Sequence, residues 1–186
     1  LAYTDQDYYP ATVMNYKLGG SFSGNVNLIL REEKGYTYGA RTAFNGSLYP
    51  GYFAATASVN SSATLESVQI FVDEMNKYRE GVPSSDLEFT RNALVRSNAR
   101  AFETLGALRG MLNSIATYNL PFDYVKQRED FVRNFTQDQL KELAQKYIEP
   151  NVMIYLIVGD AKTQLEPLKK LGLGNPVLLD RDGNPI

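Results

Sequence analysis

Apolar positions along the chain follow helical spacing over most of its length and give way to strand-like runs in a few places. From Tyr8 to Leu18 apolar residues dominate, with Val13, Met14 and Leu18 on one helical face, and Gly19-Gly20 supply a stop signal. A second short helix fits Gly24 to Lys34, carrying Val26, Leu28, Ile29 and Leu30, with Gly35 as its C-terminal cap. Two runs rich in Tyr, Phe, Thr and Ala follow, Tyr36 to Phe44 and Tyr52 to Val59, separated by the turn signals Asn45-Gly46 and Pro50-Gly51. They predict an antiparallel hairpin. From Ser62 the spacing returns to 3.6, with Leu65, Val68, Val72 and Met75 on one stripe and Gly81 and Pro83 closing it.

Four further helical pieces follow. Ser85 with Glu88 forms a capping-box pattern ahead of Leu87, Leu94, Val95 and Phe102, in a helix running towards Gly106. Leu108, Met111, Leu112 and Ile115 continue to about Tyr118, and Pro121 opens a helix through Val125 and Phe131 to Val132. Thr136 with Gln139 makes a second capping box, before Leu140, Leu143, Ala144 and Tyr147, with Pro150 as the stop. The continuous run Val152-Met153-Ile154-Tyr155-Leu156-Ile157-Val158, ended by Gly159-Asp160, predicts a buried strand because no polar residue marks a solvent face. A helix from about Thr163 to Leu171 and a short strand, Val177 to Leu179, complete the pattern. Strands at both ends with helices between them indicate an α+β domain, an antiparallel sheet covered on one face by helices. The length predicts one domain, 1–186, and the sequence shows no internal repeat or linker.

Composition narrows the chemistry. Lys plus Arg total 19 against 21 Asp plus Glu, a net charge of -2, which lacks the basic surplus that nucleic-acid backbones demand. The 13 Tyr and 9 Phe therefore read as core and interface residues rather than base-stacking platforms. No apolar run approaches the roughly 20 residues of a membrane span. The chain has no His and no Cys. It therefore carries no Ser-His-Asp or Cys-His arrangement, no ordinary zinc site and no disulfide, and it has no phosphate-binding G-x-x-x-x-G-K-[ST] loop. Hydrolysis by this chain alone is not expected. Asp180, Asp182 and Asn184 alternate like a calcium loop, but Gly183 is misplaced and no bidentate Glu follows, so the segment reads as a turn.

The segment Leu30-Arg31-Glu32-Glu33-Lys34-Gly35-Tyr36-Thr37-Tyr38-Gly39 is the main candidate for function, because it sets an Arg on the last turn of a helix and a Tyr at the start of a strand seven residues later. Arg offers a forked cationic donor for peptide carbonyls or a carboxylate, and a Tyr hydroxyl can donate to an oxyanion as charge develops. A solvated helix end followed by an amphipathic strand Tyr accounts for the same spacing without chemistry. Gly19 and Gly20 are secondary candidates, either lining a substrate path or stopping a helix.

At these residues the sequence resembles the second, non-zinc-binding half of the pitrilysin/insulinase (inverzincin) zinc metallopeptidases. That half shows a helix, a Gly-rich turn, a short helix ending in L-R-E-x-x-G-x-x-Y, a hairpin, several helices and a final strand. Here those parts are Asp7 to Leu18, Gly19-Gly20, Leu30 to Tyr38, Tyr36 to Val59, Ser62 to Ile148 and Val152 to Gly159. The resemblance implies a clam-shell enzyme in which the homologous half carries H-x-x-E-H, the zinc and the general base. It assigns Arg31 and Tyr38 to holding the substrate backbone, with Tyr38 stabilising the scissile carbonyl oxygen, and it places no cofactor in this chain. Leu1 lacks an initiator Met and a leader, and the family half begins with a strand that would precede it, so the chain is expected to be part of a longer protein. A homologous half, fused or separate, and a peptide substrate are the implied partners. The family suggests a bacterial periplasmic or envelope location. Two readings compete with substrate holding: a structural or assembly subunit of the same family, and a stand-alone module that captures an extended peptide on a hairpin edge.

Overall fold

The computed structural model describes residues 1–98 and 102–186 together with the backbone of 99 and 100. Its order is α1 (Tyr8–Asn15), α2 (Asn25–Asn27), β1 (Thr37–Asn45), β2 (Tyr52–Val59), α3 (Thr64–Arg79), α4 (Ser84–Arg100), α5 (Leu105–Tyr118), α6 (Tyr124–Asn134), α7 (Gln137–Tyr147) and α8 (Ala161–Leu168). β1 and β2 pair antiparallel, with Phe44 opposite Phe53 and Asn45 opposite Tyr52. Period-2 alternation turns Ala40 and Thr42 inward and Arg41 outward, so helices cover one face of the hairpin. The α+β architecture expected from the sequence is the one observed.

The core gathers Val13, Met14 and Leu18 below α1, Val26 and Leu30 around α2, Phe71, Met75 and Tyr78 on α3, Leu87 on α4, and Val132, Phe135, Leu140, Ala144 and Ile148 from α6 and α7. Each fully buried aliphatic side chain of this kind stabilises by about 1.5–3 kcal/mol. The Tyr78 hydroxyl finds a partner inside the core, donating to the Met14 carbonyl at 2.7 Å. Helix ends are secured by side chains: the Thr136–Gln139 capping box forms as expected, and Thr104 accepts from Ala107 N at 3.1 Å to open α5. Asn119 closes α5 with φ +51, two residues before Pro121.

The structure departs from the sequence pattern in several places. Both N-terminal helices widen into π-helical turns, Tyr16–Gly20 and Leu28–Glu33, a change that 3.6 periodicity does not signal. On α3 the buried stripe is rotated: Phe71, Val72, Met75 and Tyr78 face inward, whereas Leu65 and Val68 are only half-buried. α4 starts at Ser84 on the Pro83 carbonyl, so Ser85 lies inside the first turn and does not cap it. The expected run of that helix towards Gly106 passes residue 101, outside the described residues, and Phe102 lies beyond the helix in a turn. α5 is amphipathic yet buries no residue.

The largest correction concerns Val152 to Val158. The run is neither buried nor paired: Val152, Ile154, Leu156 and Val158 point to solvent, with Ile154 95% exposed, and Met153, Tyr155 and Ile157 are half-buried. Among the described residues no other strand lies alongside it, so a composition suited to a central strand is left with one bare face. Val177 to Leu179 likewise forms only a single bridge, Leu179 with Pro185. No helix is long and apolar enough to cross a membrane among the described residues.

Asp7 ties α1 to α7. Its carboxylate accepts from Lys146 Nζ and from the Tyr147 hydroxyl, each at 2.7 Å, and these hydrogen bonds hold it below the usual Asp range. A carboxyl whose pKa falls on folding adds stability above its unfolded pKa, near 4, and loses it as the pH drops through the folded value. Asp7→Asn is therefore expected to lower the thermal midpoint at pH 7 and to change it little near pH 2, as read by calorimetry across pH; an equal loss at both pH values would show that the ion pair contributes nothing.

Candidate functional site

Arg31 and Tyr38 sit on either side of a reversal between the second π-turn and β1. Gly35 makes the reversal with φ +64, a left-handed value that favours glycine, and Tyr36 N donates to the Leu30 carbonyl at 2.9 Å. The link is pinned to α3 through Glu66, which accepts from Lys34 Nζ at 2.7 Å and from the Tyr36 hydroxyl at 2.6 Å. Those two hydrogen bonds hold the Glu66 carboxyl below the ordinary carboxylate range. Three polar groups on two elements thus fix how the helical end leads into the strand.

Arg31 is partly exposed. Its Nη1 donates to Glu32 at 2.6 Å, and the guanidinium carbon lies 4.7 Å from the centre of the Phe22 ring. Stacking of this kind orders a long cationic side chain while leaving hydrogen-bond donors available. Phe22 belongs to the Gly-rich turn and is itself 68% exposed, so the pair presents an aromatic ring beside an ion-paired guanidinium.

Tyr38 is 99% exposed, and its hydroxyl has no hydrogen-bond partner among the described residues. The strand register explains its direction. Thr37 pairs with Val59 and Ala40 with Ala57, so Tyr38 and Gly39 together oppose Ser58 alone. That is a β-bulge, a device that re-aims a side chain out of the regular alternation. Two side chains secure the bulge. Thr37 Oγ1 donates to the Ser58 carbonyl at 2.6 Å and accepts from Gly39 N at 3.1 Å, and Ala40 N donates to Asn27 Oδ1 at 2.9 Å.

Arg31 and Tyr38 are thus both solvent-accessible, share no hydrogen bond or cation–π contact, and line neither of the clefts between the described residues. One cleft, of about 680 Å3, opens between α5 and α6 and is walled by Leu108, Leu112, Ile115, Phe122 and Val125. Among the described residues no group of three or more His, Cys, Asp or Glu could hold a metal ion, and with neither His nor Cys in the sequence the residues of this chain do not fit a zinc site.

Gly19 and Gly20 differ from one another. Gly19 is buried, and a Cβ there would lie 2.6 Å from Thr42 Oγ1, 2.7 Å from Thr42 N and 2.7 Å from Val26 Cγ2. Gly20 is exposed, beside the Asn15 carbonyl. Next to them, Asn15 and Thr42 form a buried pair: Asn15 Nδ2 donates to the Thr42 carbonyl at 2.8 Å and Thr42 Oγ1 donates to Asn15 Oδ1 at 2.5 Å. The turn packs directly on β1.

Sequence reasoning passed over Asn27, Thr37 and Phe22. Asn27 carried a signal: it is a polar residue between Val26 and Leu30 on a helix that buries both, and its side chain is itself buried. A buried amide left without partners would cost about 1–3 kcal/mol for each group, so its presence there announces partners.

The family profile described as the peptidase M16 inactive domain matches residues 1–94. No curated protein matches the chain. Among solved structures, a peptidase M16 inactive domain from Pseudomonas fluorescens superposes with a TM-score of 0.73 at 22% identity, over 81% of this chain and 36% of that one. A protease from Helicobacter pylori superposes with a TM-score of 0.72 at 14% identity, over 80% and 36%. A conserved protein from Enterococcus faecalis V583 gives 0.64 at 17% identity, over 78% and 34%. The chain spans about a third of each of these structures, and at such identities they establish the fold.

The tight approach at Gly19 is testable. Gly19→Ala must displace β1 or the turn and is expected to destabilise by about 1–3 kcal/mol in denaturant unfolding. Gly110→Ala, on α5 with nothing within 4 Å of the added carbon, is expected to stabilise by about 0.5–1 kcal/mol. Equal effects of the two would refute the close-packing account.

Proposed function

The chain belongs to the peptidase M16 inactive-domain family, and on that premise we propose that it is the substrate-holding half of a zinc metallopeptidase acting on peptides. The observation that carries this reading is the bulge at Tyr38-Gly39, which turns a wholly exposed phenol outward from a strand whose next two amides, Gly39 N and Ala40 N, are held by side chains. A bulge that re-aims a side chain and leaves its hydroxyl free suits a site completed by another domain.

In this reading Tyr38 Oη donates to the carbonyl oxygen of the scissile peptide as negative charge develops on it. Arg31, stacked on Phe22, binds a backbone carbonyl or carboxylate of the substrate further along. Both act on a peptide held between this domain and a homologous half. That half would supply the zinc ion, whose chemistry is to activate the attacking water, and the general base. Gly19 and Gly20 set the turn that carries Phe22 close against β1, and Gly20 edges the substrate path.

The test uses the complete protein, this domain together with its zinc-bearing half, and an internally quenched peptide. Tyr38→Phe is expected to lower kcat by about 100- to 1000-fold with zinc content unchanged, the cost of removing one oxyanion donor. Arg31→Ala is expected to act mainly on KM. Turnover left intact by Tyr38→Phe would reject the role assigned to Tyr38.

A further inference from the structure

We propose that Asn27 is the positioning residue of this site, a single amide that sets both Tyr38 and Arg31. The inference rests on the reading of Tyr38 and Arg31 as substrate-holding groups, and it deepens that reading by naming what aims them. Asn27 is 2% exposed and uses both ends of its side chain. Oδ1 accepts from Ala40 N at 2.9 Å, and Nδ2 donates to the Phe22 carbonyl at 2.7 Å. Ala40 is the residue at which the β1–β2 ladder resumes after the bulge, and Phe22 is the ring on which the Arg31 guanidinium rests.

The geometry makes this more than a packing contact. The Tyr38 hydroxyl has no partner among the described residues, so what the fold sets is the direction of its Cα–Cβ bond, through the backbone of Thr37 to Ala40. In a structure of side-chain period 2, displacement of the bulge by one residue would carry Tyr38 to the opposite face. Thr37 holds the bulge from the N-terminal side through its own hydroxyl, and Asn27 holds it from the C-terminal side from a different element. An aliphatic residue at position 27 would fill the space and lose the register mark. It would also free the Phe22 carbonyl and with it the turn under Arg31. Only a neutral group carrying a donor and an acceptor at this reach serves both.

The experiment is a double-mutant cycle in the complete peptidase, with the internally quenched peptide as substrate. Asn27→Ala is expected to lower kcat by about 10- to 100-fold, as a small misplacement of a reacting group does. KM should rise through Arg31. In a Tyr38→Phe background the same substitution should lower kcat by less than about threefold, because the hydroxyl that it aims is already gone. Tyr78→Phe, which removes a buried hydrogen bond from α3 to the Met14 carbonyl and none of those that hold the bulge, serves as the stability control and should leave both constants near wild type below its unfolding temperature. If Asn27→Ala does not fold, Asn27→Ser replaces it, since the smaller side chain leaves room for a water to satisfy the freed groups.

An equal loss of kcat in the wild-type and Tyr38→Phe backgrounds, or a matching loss in Tyr78→Phe, would make Asn27 a purely structural residue and overturn the proposal. A normal kcat for Tyr38→Phe alone would instead overturn the site reading itself, and the proposal with it.

Discussion

A two-stranded sheet has two open edges, and a strand packed against helices must still satisfy the backbone groups on the edge that lacks a partner. β1 meets that constraint with side chains. Asn15 donates to the Thr42 carbonyl, and Asn27 accepts from Ala40 N. The two buried asparagines stand in for a neighbouring strand at alternate inward positions of β1. Two features near the candidate site rest on that substitution: the seating of the Gly-rich turn against β1 and, together with Thr37, the position of the bulge.

This arrangement also explains why the wide helical turns occur where they do. A π-turn displaces the backbone between the residues it joins, and one is found at Tyr16–Gly20 and another at Leu28–Glu33, on either side of the loop holding Phe22. Together with Gly35 they let short helical segments double back under the strand. Lys17 Nζ, donating to the Ser23 carbonyl at 3.1 Å, closes the same loop from the outside. The turn is thus held by buried amides within and by an ammonium at its rim.

The features legible in the sequence were those governed by local pattern. The hairpin between Tyr36 and Val59, the capping box of α7, the helical spacing of α3 and the glycine cap at Gly35 each follow from residues a few positions apart. Arg31 and Tyr38 stood out through their resemblance to a family segment, and residues 1–94, which contain that segment, match the family. What stayed illegible depended on distant partners. The bulge exists because Ser58 faces two residues, a fact of pairing that no single strand carries. The roles of Asn15 and Asn27 require β1 to lie 13 to 27 residues away in sequence and within hydrogen-bond reach in space. For Val152 to Val158 the composition described a strand with neighbours on both sides, and the fold around it supplies cover on one face alone.

The approach of Gly19 to Thr42 bears on how such a domain can change over generations. Position 19 has no room for even one carbon, position 42 must carry a hydroxyl that reaches Asn15, and position 15 must carry an amide that answers it. None of the three can drift alone without leaving a clash or an orphaned polar atom. A lineage could replace them only as a set. Arg41, pointing to solvent between the buried Ala40 and Thr42, is under no such restraint, so divergence should be freer there than at the inward positions beside it.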